Sequence, residues 1–202
     1  MNSVDVPKRA PAGSAFLGDL DSMKLDLEEM FHLAIHAATV GQHHACLGYL
    51  KDVLDEQPRH ARALYLLAAQ HATLGLSDRA IKELALLLEI DPTFEMARFQ
   101  IGLLLVHRDR GDGAIGHFRE LLSSRSLPVA RFAEAMLAHV EGRSVLARTL
   151  FEQGMVNASD EPALAELMTK FFARPSVTPA EKAAGNSSFG AETIYLGAYG
   201  RK

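Results

Sequence analysis

The sequence predicts an all-α, right-handed solenoid of helix-turn-helix repeats, with about 3.5 to 4 repeats and a capping helix. Three observations support this prediction: a recurring spacing of about 34 residues, apolar positions at helical spacing, and a composition in which Leu and Ala are abundant. Apolar residues make up 48% of the 202 residues and charged residues 23%, which is typical of a folded globular chain rather than a disordered one.

The repeat becomes visible when the segment that ends at Pro58 is aligned with the segment that ends at Pro92. The interval between these prolines is the same as the interval between Gly41 and Gly75. A fourth, looser unit follows the third with an interval that is shorter by a single position. The remaining columns are Cys46, Ala80, Ala114 and Ala147; Leu50, Leu84, Phe118 and Phe151; Leu33, Leu67 and Ile101; and Ala34, Ala68 and Gly102.

The second unit shows how each repeat is built. Apolar residues at helical spacing precede the turn at Gly75 and recur after it, which predicts two helices joined by a short turn. The second helix is expected to end before Pro92, because the residue before a proline avoids the helical region. One helix pair buries little apolar surface, so stability is expected to come from stacking neighbouring pairs.

Over roughly residues 25–160 the chain resembles tetratricopeptide repeat proteins. The resemblance is weaker in the third unit, where Asp109 occupies the turn-glycine column and Ser126 the closing-proline column. It implies that the first helices of successive repeats line an inner, concave face that binds protein partners. The matching marks are Leu67-Ala68, Gly75, Ala80, Leu84, Leu87 and Pro92.

The extent of the repeats divides the chain into three parts. Residues 1–24 are expected to be a loosely ordered N-terminal segment, and residues 25–174 the repeat domain. The apolar run Ala163–Phe172 predicts a helix that caps the last repeat. Residues 175–202, rich in Pro, Ala, Gly and Ser, are expected to form a flexible tail.

The resemblance also implies which side chains face the concave groove. An aromatic residue recurs in one column at Phe31, Tyr65, Phe99 and Phe132, which suggests a ladder for an apolar peptide or helix. The alternative is that these aromatics pack between the repeats. The other residues expected in the groove are Ile35, Arg62, Ala69, Met96, Leu103, His107 and Met136.

The tail carries an apolar cluster within an otherwise polar segment, between residues 189 and 199. A purely disordered tail needs no such cluster, so we expect it to dock on its own groove, on a neighbour or on a partner. Self-association through the tail, or through the cap around Phe171 and Phe172, is a further hypothesis. The docking residues are Phe189, Ile194, Tyr195, Leu196 and Tyr199.

Features that suggest chemistry are better explained by the repeat. The glycines of Gly111–Gly116 match the dinucleotide fingerprint, but this segment lies in the register of a second helix rather than after a strand. Cys46 occupies a column of small buried residues, where a thiol is inert. His32 and His36 are spaced as a metal-binding pair but lack further ligands, and His71 is expected to be a hydrogen-bonded packing residue. We therefore predict no catalytic residue, no cofactor and no metal site.

The net charge and the length of the apolar stretches exclude some classes of function. The net charge of −4 and the pI near 6.1 argue against nucleic-acid binding, and the apolar stretches are too short for membrane insertion. We predict a cytoplasmic, non-enzymatic adaptor or scaffold that binds an apolar peptide or helix. The alternatives are a specialised chaperone of a bacterial secretion system, and a regulatory subunit that acts through its tail or convex face.

Overall fold

The computed structural model describes residues 25–173, which form nine α-helices and one 3-10 turn. The predicted terminal segments, 1–24 and 175–202, lie outside the described residues. Four helix pairs follow one another along the chain, and a ninth helix closes the stack. The helices are α1 (Leu27–Thr39), α2 (His43–Glu56), α3 (Ala61–Thr73), α4 (Ser77–Ile90), α5 (Glu95–His107), α6 (Gly111–Leu121), α7 (Leu127–Val140), α8 (Ser144–Val156) and α9 (Pro162–Ala173), with the 3-10 turn at Ala158–Asp160.

The helix boundaries reproduce the spacing of the sequence. The second helices of the four repeats begin at His43, Ser77, Gly111 and Ser144. The first two intervals between these starts are equal, and the last is shorter by a single position, as in the sequence. This agreement confirms four helix pairs, including the looser third and fourth units. The third pair differs in its second helix, because α6 has only 11 residues and ends at Leu121.

One residue in each turn adopts the left-handed backbone conformation. Gly41, Gly75 and Gly142 have φ values of 74°, 77° and 75°. Asp109 replaces glycine in the third repeat and takes the same region at φ 55°. Glycine is the usual residue here because it has no Cβ, and Asp is one of the few others that tolerate the conformation.

The small-residue column lies in the core of each repeat. Cys46, Ala80, Ala114 and Ala147 are each 0% exposed, because a short side chain lets the two helices of a pair approach closely. Burial raises the pKa of the Cys46 thiol to about 12, so little reactive thiolate forms at neutral pH. The prediction that Cys46 is a packing residue is confirmed.

The ninth helix is joined to the last repeat by stacked rings. Phe172 of α9 stacks on Phe151 of α8 with ring centroids 4.8 Å apart, and Phe151 in turn lies 6.1 Å from Phe132 of α7. His139 of α7 contacts Phe171 edge-on at 5.0 Å. These contacts confirm the predicted capping helix.

Candidate partner-binding site

The aromatic column predicted to line the groove lies inside the structure. Phe31, Tyr65, Phe99 and Phe132 each have a relative exposure of 0%. The expectation of an open aromatic ladder is therefore corrected: the column exists, but its rings are not presented to solvent. Direct contact between these residues and a partner stays a prediction.

The physical reason is that the rings fill space between helices. Phe99 packs edge-on against Phe118 of the same repeat, with centroids 5.5 Å apart. Tyr65 extends to the next repeat, where its ring lies 5.3 Å from Phe94 and its Oη accepts a hydrogen bond of 2.7 Å from Gln100 Nε2. Burial raises the pKa of Tyr65, although the bond from Gln100 lowers it. The Phe99 contact therefore lies within one repeat, whereas the Tyr65 contacts join two repeats.

The other predicted groove residues divide into two groups by burial. The first group belongs to the core, whereas the second keeps access to solvent. The buried group is Ala69, Leu103 and Met136, and the accessible group is Ile35, Arg62, Met96 and His107. The accessible group therefore remains the better candidate for contact with a partner.

Helix α5 is enclosed over two of its turns. All seven residues from Phe99 to Leu105 are buried, and seven consecutive residues of an α-helix point in every direction around its axis. The inner face of the third repeat is thus closed along this stretch. An opening beside this helix is found instead at the N-terminal end of α5.

A pocket of about 320 Å³ lies at that end, between α5, α7 and α9. Its lining is apolar and polar in about equal parts, and the polar part includes three carboxylates. The apolar lining residues are Phe94, Met96, Phe99, Val129 and Leu164, and the polar ones are Asp91, Thr93, Glu95 and Glu161. Two predicted groove residues thus lie beside this cavity: Met96 is accessible, whereas Phe99 is 0% exposed and belongs to the buried side of the wall.

The carboxylates of the pocket are held in place by the loops around it. Ser124, after α6, donates a hydrogen bond of 2.8 Å to Glu95, and Ser126 donates one of 3.3 Å to Glu161. Asp91 accepts hydrogen bonds within the loop that precedes α5. The described lining residues include no lysine or arginine. The pocket therefore favours a ligand that combines apolar surface with positive charge.

Arg62, another predicted groove residue, links the first two repeats. Its Nη1 lies 3.2 Å from Glu28 Oε1, and its guanidinium lies 4.5 Å from the centroid of the Phe31 ring. The arrangement combines an ion pair with a cation–π contact. Arg62 therefore covers the aromatic ring at the start of the column.

Phe94 and Glu161 complete the pocket but were not predicted from the sequence. Phe94 packs on Tyr65, and His60, which holds the equivalent position in the preceding repeat, packs in the same way on Phe31 at 5.0 Å. The sequence therefore carried a signal for Phe94, as one more repeat column two positions after each closing proline. Glu161 belongs to the segment that starts the cap and lies outside the repeat register, so spacing could not reveal it.

The features that suggested chemistry have structural roles. Gly111–Gly116 lies within α6, without the preceding strand that a dinucleotide site requires. His71 Nδ1 lies 2.8 Å from Glu83 Oε2, which confirms a hydrogen-bonded packing role, and burial raises the pKa of Glu83 although His71 opposes the shift. Residues 25–173 contain no group of three His, Cys, Asp or Glu side chains placed to hold a metal ion. In the same range, no helix is long and apolar enough to cross a membrane.

Comparison with known proteins shows the fold. No protein-family model matches the sequence, and no curated protein matches it. Among solved structures, MamA matches at 17% identity and a TM-score of 0.58, covering 73% of this chain and 87% of that one. A thermophilic TPR protein from Thermus thermophilus matches at 19% identity and 0.58, covering 79% and 88%. A tetratricopeptide repeat protein from Parabacteroides merdae matches at 17% identity and 0.59, covering 85% and 66%. The predicted tetratricopeptide repeat fold is confirmed.

Proposed function

We propose that this protein is a non-enzymatic interaction scaffold, and that it binds a protein partner at the pocket between α5, α7 and α9. The pocket is the observation that carries the proposal. It is lined by residues of α5, α7 and α9, and its apolar residues offer surface on which a partner can bury a side chain. The cytoplasm is the compartment we expect for this role.

The dimensions and charge of the pocket suggest the kind of partner. Its volume lies at the lower end of the range for binding cavities, which is about 300–1,000 Å³, and suits one or two side chains of a peptide. Asp91, Glu95 and Glu161 favour basic residues beside the apolar anchor. We therefore expect an apolar peptide or helix with flanking positive charge, bound through one or two inserted side chains.

Two finer roles would place partner binding on different surfaces of the chain. A specialised chaperone of a bacterial secretion system would hold an exported subunit through the same pocket. A regulatory subunit would instead use the outer surface or the tail. Support for the second comes from α8, where Val145 and Val156 are 84% and 83% exposed. The two roles therefore predict different sensitive surfaces.

The test compares two methionine substitutions in the full chain. Met96→Arg places a bulky, charged side chain in the pocket, whereas Met155→Arg changes an exposed residue of α8. Each variant is used to capture cross-linked partners, which are identified by mass spectrometry. Binding of the recovered partner is then measured by calorimetry.

We expect Met96→Arg to weaken partner binding at least tenfold and Met155→Arg to leave it unchanged, with both variants folded by circular dichroism. Equal binding by Met96→Arg and the wild type would reject the pocket as the binding site. Loss of binding in Met155→Arg alone would instead support the outer surface and the regulatory role.

A further inference from the structure

We propose that the C-terminal segment of this chain, residues 189–202, occupies the acidic pocket as a built-in ligand. The inference rests on the proposed binding site. It adds a state in which the chain's own segment fills the pocket, so that a partner must displace this segment to bind. The segment lies outside the described residues; its sequence, its length and the chemistry of the pocket support the proposal.

The chemistry of the two surfaces is complementary. The segment carries apolar residues up to Tyr199 and then two basic residues, Arg201 and Lys202. The pocket presents apolar walls with carboxylates beside them, among which are Glu95 and Glu161. An apolar side chain inserted between the walls would thus bring a nearby basic group close to these carboxylates. Burial of the apolar side chain and attraction between the basic group and the carboxylates then favour the same position of the segment.

The length of the connecting chain permits this contact. The segment follows α9, which ends at Ala173, whereas the pocket is lined by Leu164 nearer the start of the same helix. Nine residues of helix separate these positions, which is about 14 Å. Residues 174–188 can span up to about 50 Å when extended, so the connection reaches the pocket with slack. Tethering also gives the segment a high effective concentration at the pocket.

The N-terminal segment fits the pocket less well. Its larger apolar residues Phe16 and Leu17 lie several positions from Lys8 and Arg9, and the valines before these basic residues flank an acidic residue, Asp5. The acidic residues that follow would be repelled by the carboxylates of the pocket. This segment also joins the fold at the first repeat, whereas the pocket lies at the third repeat and the cap.

The test uses paramagnetic broadening of methionine methyl signals in the full chain. A spin label is attached to the tail through Ala198→Cys, and the buried thiol of Cys46 is expected to stay unlabelled. Met96 reports on the pocket, and Met30 in α1 is the remote reference. We expect the Met96 signal to lose at least half of its intensity while the Met30 signal is retained.

Two sets of variants control the assignment. Leu196→Ser with Tyr199→Ser removes the apolar anchors from the tail, and Glu95→Lys with Glu161→Lys reverses the charge of the pocket. Both sets should restore the Met96 signal in labelled protein. The tail variants change no described residue, so they remain informative if the charge reversal impairs folding.

Three results would overturn the inference: an unbroadened Met96 signal, equal broadening of Met96 and Met30, or broadening that vanishes when labelled protein is diluted into unlabelled protein. The last result would mean that the tail binds a second copy. The outcome is separable from that of the proposed function. Partner binding that depends on Met96 without tail docking would reject this inference alone, and tail docking without any partner would reject the proposed function alone.

Discussion

The ring of Phe118 occupies the space that a side chain on Gly102 would need. A Cβ atom built on Gly102 would lie 2.6 Å from Cε1 and Cζ of that ring. The two residues face each other between α5 and α6, in columns that hold Ala68 and Leu84 in the second repeat. A larger residue in one column is thus matched by a smaller one in the other, which keeps the helix pair closely packed.

Gly102→Ala is expected to lower the free energy of unfolding by about 1–3 kcal/mol, because the added methyl group overlaps the Phe118 ring. The double variant Gly102→Ala with Phe118→Leu recreates the pair of the second repeat and should recover most of this loss. Urea denaturation of the two variants measures both values. A neutral Gly102→Ala would contradict the proposed matching of the two columns.

Gly75→Ala and Gly48→Ala are expected to change stability in opposite directions. Gly75 has φ +77° and open space around its Cβ position, so alanine there suffers backbone strain of about 1–2 kcal/mol without a clash. Gly48 lies within α2 and also has open space, so alanine should stabilise the helix by up to about 1 kcal/mol. Thermal unfolding followed by circular dichroism would show whether the signs differ.

Phe99→Ala is expected to act mainly on stability. The side chain is fully buried and packs on Phe118, so its removal should cost about 3–5 kcal/mol. Lost partner binding in this variant would accompany partial unfolding and would not identify a contact. Chemical denaturation checks the prediction, and a loss below about 1 kcal/mol would show that the ring is not a core residue.

Tyr65→Phe is expected to destabilise the fold by about 1–3 kcal/mol, because it leaves the Nε2 donor of buried Gln100 without its acceptor. Within the described structure, the Oε1 atom of Gln100 is already without a hydrogen-bond partner. Adding Gln100→Leu to Tyr65→Phe removes both polar groups and should restore much of the stability. Equilibrium unfolding of the single and double variants would show whether that compensation occurs.

The repeat could be predicted from the sequence because its determinants are local and periodic. The turn glycines, the closing Pro58 and Pro92, and the small column at Cys46 each act within one helix pair, so spacing alone places them. Asp109 did not disturb the prediction, since its backbone adopts the conformation that glycine has in the other repeats.

The pocket could not be predicted in the same way, because it depends on elements that meet only in the folded chain. Leu164 comes from the cap, and Phe94 comes from a loop between repeats. The aromatic column was placed in the correct register, but spacing does not reveal how deeply a residue such as Phe99 is buried. Burial depends on packing between repeats, which is a property of the whole stack.

His117 is expected to make the protein less stable as the pH falls below about 6.5. Burial lowers the pKa of His117, the positive charge of Arg98 lowers it further, and Glu120 acts in the opposite direction. In the structure, the buried Nδ1 atom of His117 has no hydrogen-bond partner among the described residues. A lowered pKa in the folded state means that the unfolded chain binds the proton more readily.

This histidine therefore contributes stability that is present above the ordinary histidine pKa and is lost as the pH falls through the lowered one. His117→Gln should reduce the fall in melting temperature between pH 7.5 and pH 5. Because burial also lowers the pKa of His139, the double variant with His139→Gln should reduce that fall further. If the melting temperature of His117→Gln falls as steeply as that of the wild type, protonation of this side chain is not coupled to unfolding.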